Sequence, residues 1–228
     1  MSKERPIPFN APMVLAVVAG TKTQTRRLVT PAPKMVTDKR IEPWTGAPTT
    51  LLQLLQASKR SCPYGKPGDR VWVRETFFAY GRWVTRYSEK KRRDEWHFID
   101  MTAECDRAYQ YDADSPDLPS AAGRGALPGW YKRPSIFMPR AACRILLEIV
   151  SVRVERLQDI SDADIVAEGI DMEALAESQD RYDIVCKGSG ASERATERTA
   201  WRDLWESTGG DWDANPWCWV ISFKRVAP

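Results

Sequence analysis

A polar run, "TKTQTRR", follows a short apolar segment near the start of the chain and occupies residues 21–27. It places one Lys, three Thr, one Gln and two Arg at consecutive positions. A hydroxyl can attack an acyl carbon, or position a water that does so, once a base removes its proton. Cations can bind a phosphate or stabilise a developing oxyanion. The run therefore predicts a turn that presents a polar ligand site, with Arg26 and Arg27 as candidate phosphate ligands, unless it is only the solvated end of a helix.

Charged and aromatic residues later in the chain are further candidates for substrate binding: Arg74, Glu75, Trp130, Arg133 and Arg140. The first two end a strand pattern and could line the same cleft as the polar run. Trp130 and Arg133 stand just before "PSIFMPR", where they could stack on a base and clamp it. The alternative for Trp130 and Arg133 is ordinary aromatic packing that anchors a loop, and the alternative for Arg74 and Glu75 is a strand with a polar face.

Charge is distributed unevenly although the net charge is only +3. Residues 82–93 hold six basic side chains and one acidic, whereas residues 159–183 hold nine acidic and one basic. Phosphate contacts dominate the affinity of proteins for nucleic acids. Lys90, Lys91, Arg92 and Arg93 are therefore candidate nucleic-acid-binding residues, and a solvated face is the alternative.

The cysteine and histidine content favours neither a metal site nor a disulfide framework. Five cysteines are present, which is an odd number, none forms a CxxC pair, and His97 is the only histidine. A zinc site would lack its usual ligands, and we expect no cofactor. Free thiols fit a reducing, cytoplasmic location. No apolar run approaches the length of a membrane span, so no membrane partner is expected.

The elements that must position these residues follow from caps and periodicity. A short apolar helix, expected to be buried, begins after Asn10 and ends before Gly20. Leu28 and Val29 indicate a strand after the polar run, and alternation around Val71 indicates another.

The second half of the chain has stronger patterns. Residues 142–157 give the strongest strand signal, and a helix follows with Ser161 as N-cap and Asp164 three residues later. A second helix is predicted over about 193–207 with Trp201 and Trp205 on its buried face. A final strand, "WCWVISFKRV", ends the chain.

Residues from about 80 to 130 show little periodicity and are interpreted as a long, partly ordered insertion. The strands are few and joined by irregular links, which disfavours a doubly wound sheet. The order predicts one α+β domain over residues 1–228, a small mixed β-barrel with flanking helices.

Four segments in this order, "AGTKTQTRRL", "GDRVWVRET", "LQDISDADIVAEGI" and "NPWCWVISFKRV", resemble the ASCH domain of the PUA-like superfamily. The similarity is greatest to longer ASCH proteins of phages and prophages. It implies a small PUA-like barrel whose cleft handles RNA or modified nucleosides. Segments 30–60 and 80–130 lie outside it. Where the phage proteins often read "PSIHMPRWAS", this chain has "PSIFMPRAAC", so Phe137 and Ala141 depart from the pattern.

The resemblance also implies an activity. Some small bacterial ASCH proteins are amidohydrolases that remove the acetyl group of N4-acetylcytidine. Their working Lys, Thr and Glu correspond to Lys22, Thr25 and Glu168. The implied partner is a modified nucleoside or a single-stranded nucleic acid.

The chemistry leaves two assignments of roles open. Lys22 is the base if burial lowers its pKa, with Glu168 orienting it; otherwise Glu168 is the base and charged Lys22 stabilises the oxyanion. A neighbouring Glu168 is expected to raise the pKa of Lys22 in an empty site. Residues 22 and 25 would face opposite sides of a regular strand, so the chain must turn there. A carboxylate at the end of a helix is disfavoured by the helix dipole, which suggests a function for Glu168.

Two other functions remain open. In the first of these, the chain is a non-catalytic RNA- or DNA-binding module. In the second, it is a phage accessory protein that binds another protein. None of Lys22, Thr25 and Glu168 is expected in the core. The sequence does not indicate an oligomeric state.

Overall fold

The computed structural model describes residues 4–37, 40–119, 127–177 and 196–227. Its helices are α1 Ala11–Ala19, α2 Pro48–Ala57, α3 Asp162–Ala167 and α4 Glu197–Ser207, and residues 172–177 are also helical. Its strands are β1 Glu4–Pro8, β2 Gln24–Leu28, β3 Lys34–Val36, β4 Ile41–Pro43, β5 Arg70–Arg74, β6 Phe77–Ser88, β7 Arg93–Asp100, β8 Gln110–Tyr111, β9 Gly129–Arg133, β10 Leu146–Arg156 and β11 Trp217–Val226. The mixed α+β class is confirmed.

The main sheet has five strands in the order β1-β5-β10-β11-β2. Strand β11 pairs antiparallel with β2, placing Ile221 opposite Thr25 and Val220 opposite Arg26. Within the described residues the pairing ends at β1 and β2, so the hydrogen bonds do not form the expected closed barrel. Closure would need a ladder between these two edge strands.

The described residues divide into two compact units. The first unit draws on residues 4–5, 16–37, 40–71, 147–177 and 196–227, and the second on residues 6–15, 72–119 and 127–146. The sequence predicts one domain with a partly ordered insertion at about 80–130. Within that segment, β6 and β7 pair from Gly81–Asp100 to Ser88–Arg93. The alternation of apolar and polar residues along β7 is weak in the sequence, because side chains on both faces of this strand are at least partly exposed.

Helices α3 and α4 and strand β11 all contribute residues to the apolar cluster of the first unit. The cluster contains Leu157, Ile160, Ile165, Trp201, Trp205 and Cys218. The predicted N-cap is confirmed, because the Ser161 side chain accepts a hydrogen bond from the Asp164 amide. Helix α4 begins at a capping box formed by Thr196 and Thr199. The predicted burial of Trp201 and Trp205 is confirmed, while residues 193–195 lie outside the described part.

The second unit has a smaller apolar cluster of Phe77, Ala79, Met138 and Ala142. Strand β6 is its centre, since β7, β8 and β9 all pair with it. The 3-10 turns Ser135–Phe137 and Arg140–Ala142 follow β9.

Two local expectations were wrong. Helix α1 is capped by Asn10 as predicted, but only part of it is buried, because Leu15 and Val18 are exposed. Strand β2 begins at Gln24, four residues before the predicted Leu28, so much of the polar run lies inside a sheet. The polar run is therefore not a turn over its whole length, as was expected. Residues 24–27 belong to β2, and only residues 21–23 precede the strand.

Cys62, Cys105, Cys143 and Cys218 are free thiols, and burial raises the pKa of Cys218 to about 12. Among the described residues, no helix has the length and apolar character needed to cross a bilayer.

We predict that Trp201→Ala lowers the free energy of unfolding by about 3–5 kcal/mol, because it leaves a large cavity in the first unit's cluster. Trp201 is 2% exposed. Arg202→Ala on the same helix is the control and should change stability by less than about 0.5 kcal/mol, since the Arg202 side chain is 41% exposed. Urea unfolding followed by circular dichroism measures both. Equal losses in the two variants would contradict the assigned core.

Candidate functional site

Backbone hydrogen bonds bring the polar run beside the ends of two helices in the first unit. The Lys22 amide donates to the Ala16 carbonyl of α1 at 3.0 Å, and the Thr23 amide donates to the Ala167 carbonyl of α3 at 2.8 Å. Gly20 ends α1 with a φ of 82°, a conformation that favours glycine. Lys22 therefore lies two residues before the start of β2, directly alongside the C-terminal end of α3.

Lys22 and Glu168 form a buried pair at that helix end. The ammonium Nζ of Lys22 donates to the Glu168 carboxylate Oε2 at 2.8 Å and to the Glu168 carbonyl at 2.6 Å. Each residue is 2% exposed. The last carbonyls of a helix lack intrahelical partners and carry partial negative charge. Lys22 satisfies one of them and neutralises the carboxylate that the helix dipole alone would disfavour.

Gly169 makes this approach possible. Its φ is 86°, and a Cβ at this position would lie 2.9 Å from the Cβ atoms of both Ala16 and Lys22. A side chain there would be strained in the left-handed conformation and would also displace Lys22. The glycine that ends α3 thus also positions the ammonium.

Arg26 connects the pair to two more carboxylates. Its Nη1 donates to Gln24 Oε1 at 2.7 Å and to Glu168 Oε1 at 3.3 Å. Its Nη2 donates to Glu155 Oε2 at 3.0 Å and to Asp164 Oδ2 at 2.9 Å. Both Glu168 oxygens are therefore occupied, one by Lys22 and the other by Arg26.

Arg153 completes the group, which we call the buried ion network: Lys22, Gln24, Arg26, Arg153, Glu155, Asp164 and Glu168. Arg153 pairs with Glu155 and Asp164, and these three side chains are partly exposed. The network holds three cations and three carboxylates, so its formal charge is balanced. Balance matters because an uncompensated charge inside a protein costs several kcal/mol, of the order of 3–5.

Burial lowers the pKa of Lys22, and this effect outweighs the raising effect of Glu168. The positive charges of Arg27 and Arg26 lower it further. The expected raising effect of Glu168 is present, but the desolvation of the buried ammonium is larger and decides the direction of the pKa. A lysine with a lowered pKa is more readily neutral, and a neutral amine can accept a proton.

Thr25 and Arg27 occupy the alternate positions of β2. Strand alternation places both on the face opposite Gln24 and Arg26. Thr25 is buried, and its hydroxyl has no hydrogen-bond partner among the described residues. The Arg27 guanidinium lies 5.9 Å from the Tyr64 ring centroid, and burial lowers its pKa.

The environment of these residues differs from the sequence expectation in two respects. Lys22, Thr25 and Glu168 are as buried as core residues, so the expectation that they lie outside the core was wrong. Arg26, predicted as a phosphate ligand, is already paired with three carboxylates. Sequence reasoning also missed Glu155 and Arg153, for which alternation along β10 was the available signal, and it assigned Asp164 only a capping role.

In the second unit, Glu75 is engaged by Arg144. The Arg144 Nε and Nη2 donate to Glu75 Oε1 and Oε2, each at 2.9 Å, and Asp114 binds the same guanidinium. The Arg144 guanidinium also stacks 3.9 Å from the centroid of the Tyr111 ring. Burial lowers the pKa of Arg144, but the hydrogen bonds and negative charges of Glu75 and Asp114 raise it above its ordinary value. Arg74 stacks on Trp72 at 4.7 Å.

The other second-unit candidates lie on or just after β9. Trp130 packs edge-on against Tyr80 with ring centroids 5.6 Å apart. Arg133 lies among three rings, and Arg140 is exposed on the second 3-10 turn. Lys90, Lys91 and Arg92 lie in the loop between β6 and β7, and Arg93 is the first residue of β7.

Comparison with protein-family models, curated proteins and solved structures finds no match to this chain. The ASCH resemblance therefore rests on the four sequence motifs and stays a prediction.

We predict that Glu168→Ala lowers the free energy of unfolding by about 3–5 kcal/mol, because it leaves Lys22 and one bond of Arg26 without their carboxylate. Lys224→Ala is the control: its partner Glu148 lies 2.9 Å away, but the lysine side chain is 60% exposed. Its loss should be at most about 1 kcal/mol. Denaturant unfolding at neutral pH measures both. A loss at Glu168 no larger than at Lys224 would refute the role of the pair.

We predict that Asp164 makes the protein less stable in acid. Burial raises the pKa of Asp164, but the combined effect of Arg26, Gln24 and Arg153 is larger and lowers the pKa below its ordinary value. Its contribution is therefore complete above the unfolded-state pKa of about 3.9 and is lost as the pH falls through the lower folded-state pKa. Unfolding free energies measured from about pH 5 downwards should fall less steeply in Asp164→Asn than in the wild type. Asp203→Asn, at an exposed position, should leave the slope unchanged.

Proposed function

We propose that this protein is an amidohydrolase that removes an acyl group from the exocyclic amine of a nucleobase, N4-acetylcytidine being the type substrate. The observation that carries the proposal is the buried Lys22 ammonium, held 2.8 Å from the Glu168 carboxylate with a lowered pKa. The ASCH motifs support the substrate class, and a PUA-like arrangement of the main sheet is part of the same proposal.

Lys22 is the base in this mechanism. Glu168 is unsuited to that role because both of its oxygens already accept hydrogen bonds from cations. Its function is to hold Lys22 in position through the carboxylate and the backbone carbonyl. A catalytic lysine must lose its proton near the working pH, and desolvation favours that loss.

Thr25 is the nucleophile. Thr25 is 2% exposed, and its hydroxyl, which has no hydrogen-bond partner among the described residues, is able to bind a substrate atom. The proton of the hydroxyl passes to neutral Lys22 as the Thr25 oxygen bonds to the acyl carbon. The strand directs Thr25 away from Arg26, which shares Glu168 with Lys22. Substrate binding must therefore bring the Thr25 hydroxyl and the Lys22 amine within reach of each other, directly or through one water.

Collapse of the tetrahedral intermediate breaks the bond between the acyl carbon and the nucleobase nitrogen. Lys22 returns its proton to that nitrogen, which leaves as the free amine. Water then hydrolyses the threonine ester, releasing the carboxylic acid and restoring the hydroxyl. Arg27, on the same face of β2 as Thr25, supplies positive charge for the oxyanion.

The test is turnover of N4-acetylcytidine and related N-acylated nucleosides by the purified protein, followed by mass spectrometry. We predict that Lys22→Met lowers turnover by about 10²–10⁴-fold, the usual contribution of a general base. Methionine is suitable because Arg26 still pairs with Glu168 in this variant. Thr25→Val should abolish turnover while Thr25→Ser retains part of it. Lys224→Ala is the control and should be fully active.

The pH profile distinguishes the two assignments of the base. With Lys22 as base, the rate rises with pH to a midpoint below the free-lysine value of about 10.4, because only the neutral amine accepts a proton. With Glu168 as base, the rate would rise in acid and stay level through neutrality. If the folded protein turns over no acylated nucleoside, the proposal fails in favour of a non-catalytic binding module.

A further inference from the structure

The long hairpin of the second unit forms one side of a groove. Residues of β6 and β7 line it together with Lys132, Arg133, Pro134 and Phe137, and its volume is about 920 Å³. None of the proposed catalytic residues Lys22, Thr25 and Glu168 is among its lining residues.

Aromatic rings form the floor of the groove. Trp83 and Phe98 are opposite each other in the β6–β7 ladder, with ring centroids 5.4 Å apart. The Arg133 guanidinium lies 4.6–4.8 Å from the centroids of Trp83, Phe98 and Phe137. This packing fixes the planar groups of the floor in place.

Two rings of the groove remain open to solvent. Trp96 is 45% exposed and Phe137 is 56% exposed. Trp96 faces Thr85 across the ladder, so it lies two residues along β7 from Phe98 and on the same face of the sheet. An exposed ring on a rigid strand offers a stacking surface at a low cost in conformational entropy.

The charge of the lining is positive. Lys91, Arg93, Lys132 and Arg133 line the groove, against Asp94 and Glu95. Glu95 accepts from Lys91 at 2.7 Å and lies 3.5 Å from Arg93, so one carboxylate serves two cations. Lys90 and Arg92 belong to the same loop but are not among the lining residues.

We propose that this groove binds single-stranded nucleic acid, with bases stacked on Trp96 and Phe137 and phosphates bound by Lys91 and Arg93. Stacking surfaces beside cations are the combination that binds single strands with little sequence preference. A duplex keeps its bases stacked on each other and cannot use the exposed rings. The inference is independent of the catalytic proposal, because the two use different residues.

Fluorescence anisotropy with labelled oligothymidylate, oligouridylate and a duplex of equal length tests the proposal. Both single strands should bind more tightly than the duplex, and comparison of the two shows whether DNA or RNA is preferred. Trp96→Ala should weaken single-strand binding by ~5- to 100-fold, the usual range for one stacked base. Lys22→Met should bind as the wild type does, so failure of catalysis and failure of binding are distinguishable.

Two double variants form a matched pair for the electrostatic part. Lys91→Gln with Arg93→Gln removes two charges from the groove, whereas Lys90→Gln with Arg92→Gln removes two charges from the same loop outside it. The first should reduce the dependence of log Kd on log salt by about 0.7 per lost phosphate contact on a single strand. The second should leave it nearly unchanged.

Three results would overturn the proposal: equal effects of the two double variants, unchanged binding by Trp96→Ala, or no preference for single strands over the duplex. Circular dichroism of each variant confirms folding, and Phe137→Ala provides a second stacking variant outside the hairpin. Since Phe137 is exposed, its loss should weaken binding without unfolding the protein.

Discussion

The bond between the Lys22 ammonium and the C-terminal end of α3 is the interaction on which the first unit's polar site depends. It solves two problems at once, since the ammonium satisfies the Glu168 carbonyl and neutralises the Glu168 carboxylate. Neither the Lys22 ammonium nor the Glu168 carboxylate could be buried alone without a cost of several kcal/mol, of the order of 3–5. The close approach also requires Gly169, because any Cβ there would lie against Lys22.

Arg26 extends that pair towards solvent through Asp164 and Glu155. The resulting network sets the local electrostatics by compensating the carboxylates while leaving Lys22 strongly desolvated. A structural ion pair and a reactive lysine are usually opposed, because a good partner stabilises the ammonium. Here Arg26 shares Glu168, and the positive charges of Arg27 and Arg26 add to burial in lowering the pKa of Lys22.

Arginines of the second unit lie close to aromatic rings. Arg133, Arg107 and Arg144 each lie over aromatic rings, at distances between 3.9 and 5.7 Å from the ring centroids. Guanidinium stacking fixes both partners with little desolvation, because the edge of the cation still reaches water or a carboxylate. The ten Trp of the chain accordingly divide between buried cluster residues such as Trp201 and partly exposed rings such as Trp96.

The sequence by itself determined the elements whose signals are local. The N-cap at Ser161, the amphipathic helix carrying Trp201 and Trp205, and the apolar strand that became β10 all follow from neighbouring residues. The mixed α+β class followed from the order of these elements. The polar run and Glu168 were marked as candidates, although 146 positions separate Lys22 from Glu168.

Only the tertiary structure decided what surrounds those candidates. Burial of Lys22, the capture of Arg26 by three carboxylates and the pairing of Glu75 with Arg144 all depend on contacts between distant segments. A polar strand such as β2 resembles a solvated loop in sequence, because its compensating charges come from β10 and α3. The hairpin of β6 and β7 was likewise hidden, since alternation reports a buried face and this hairpin has little of one.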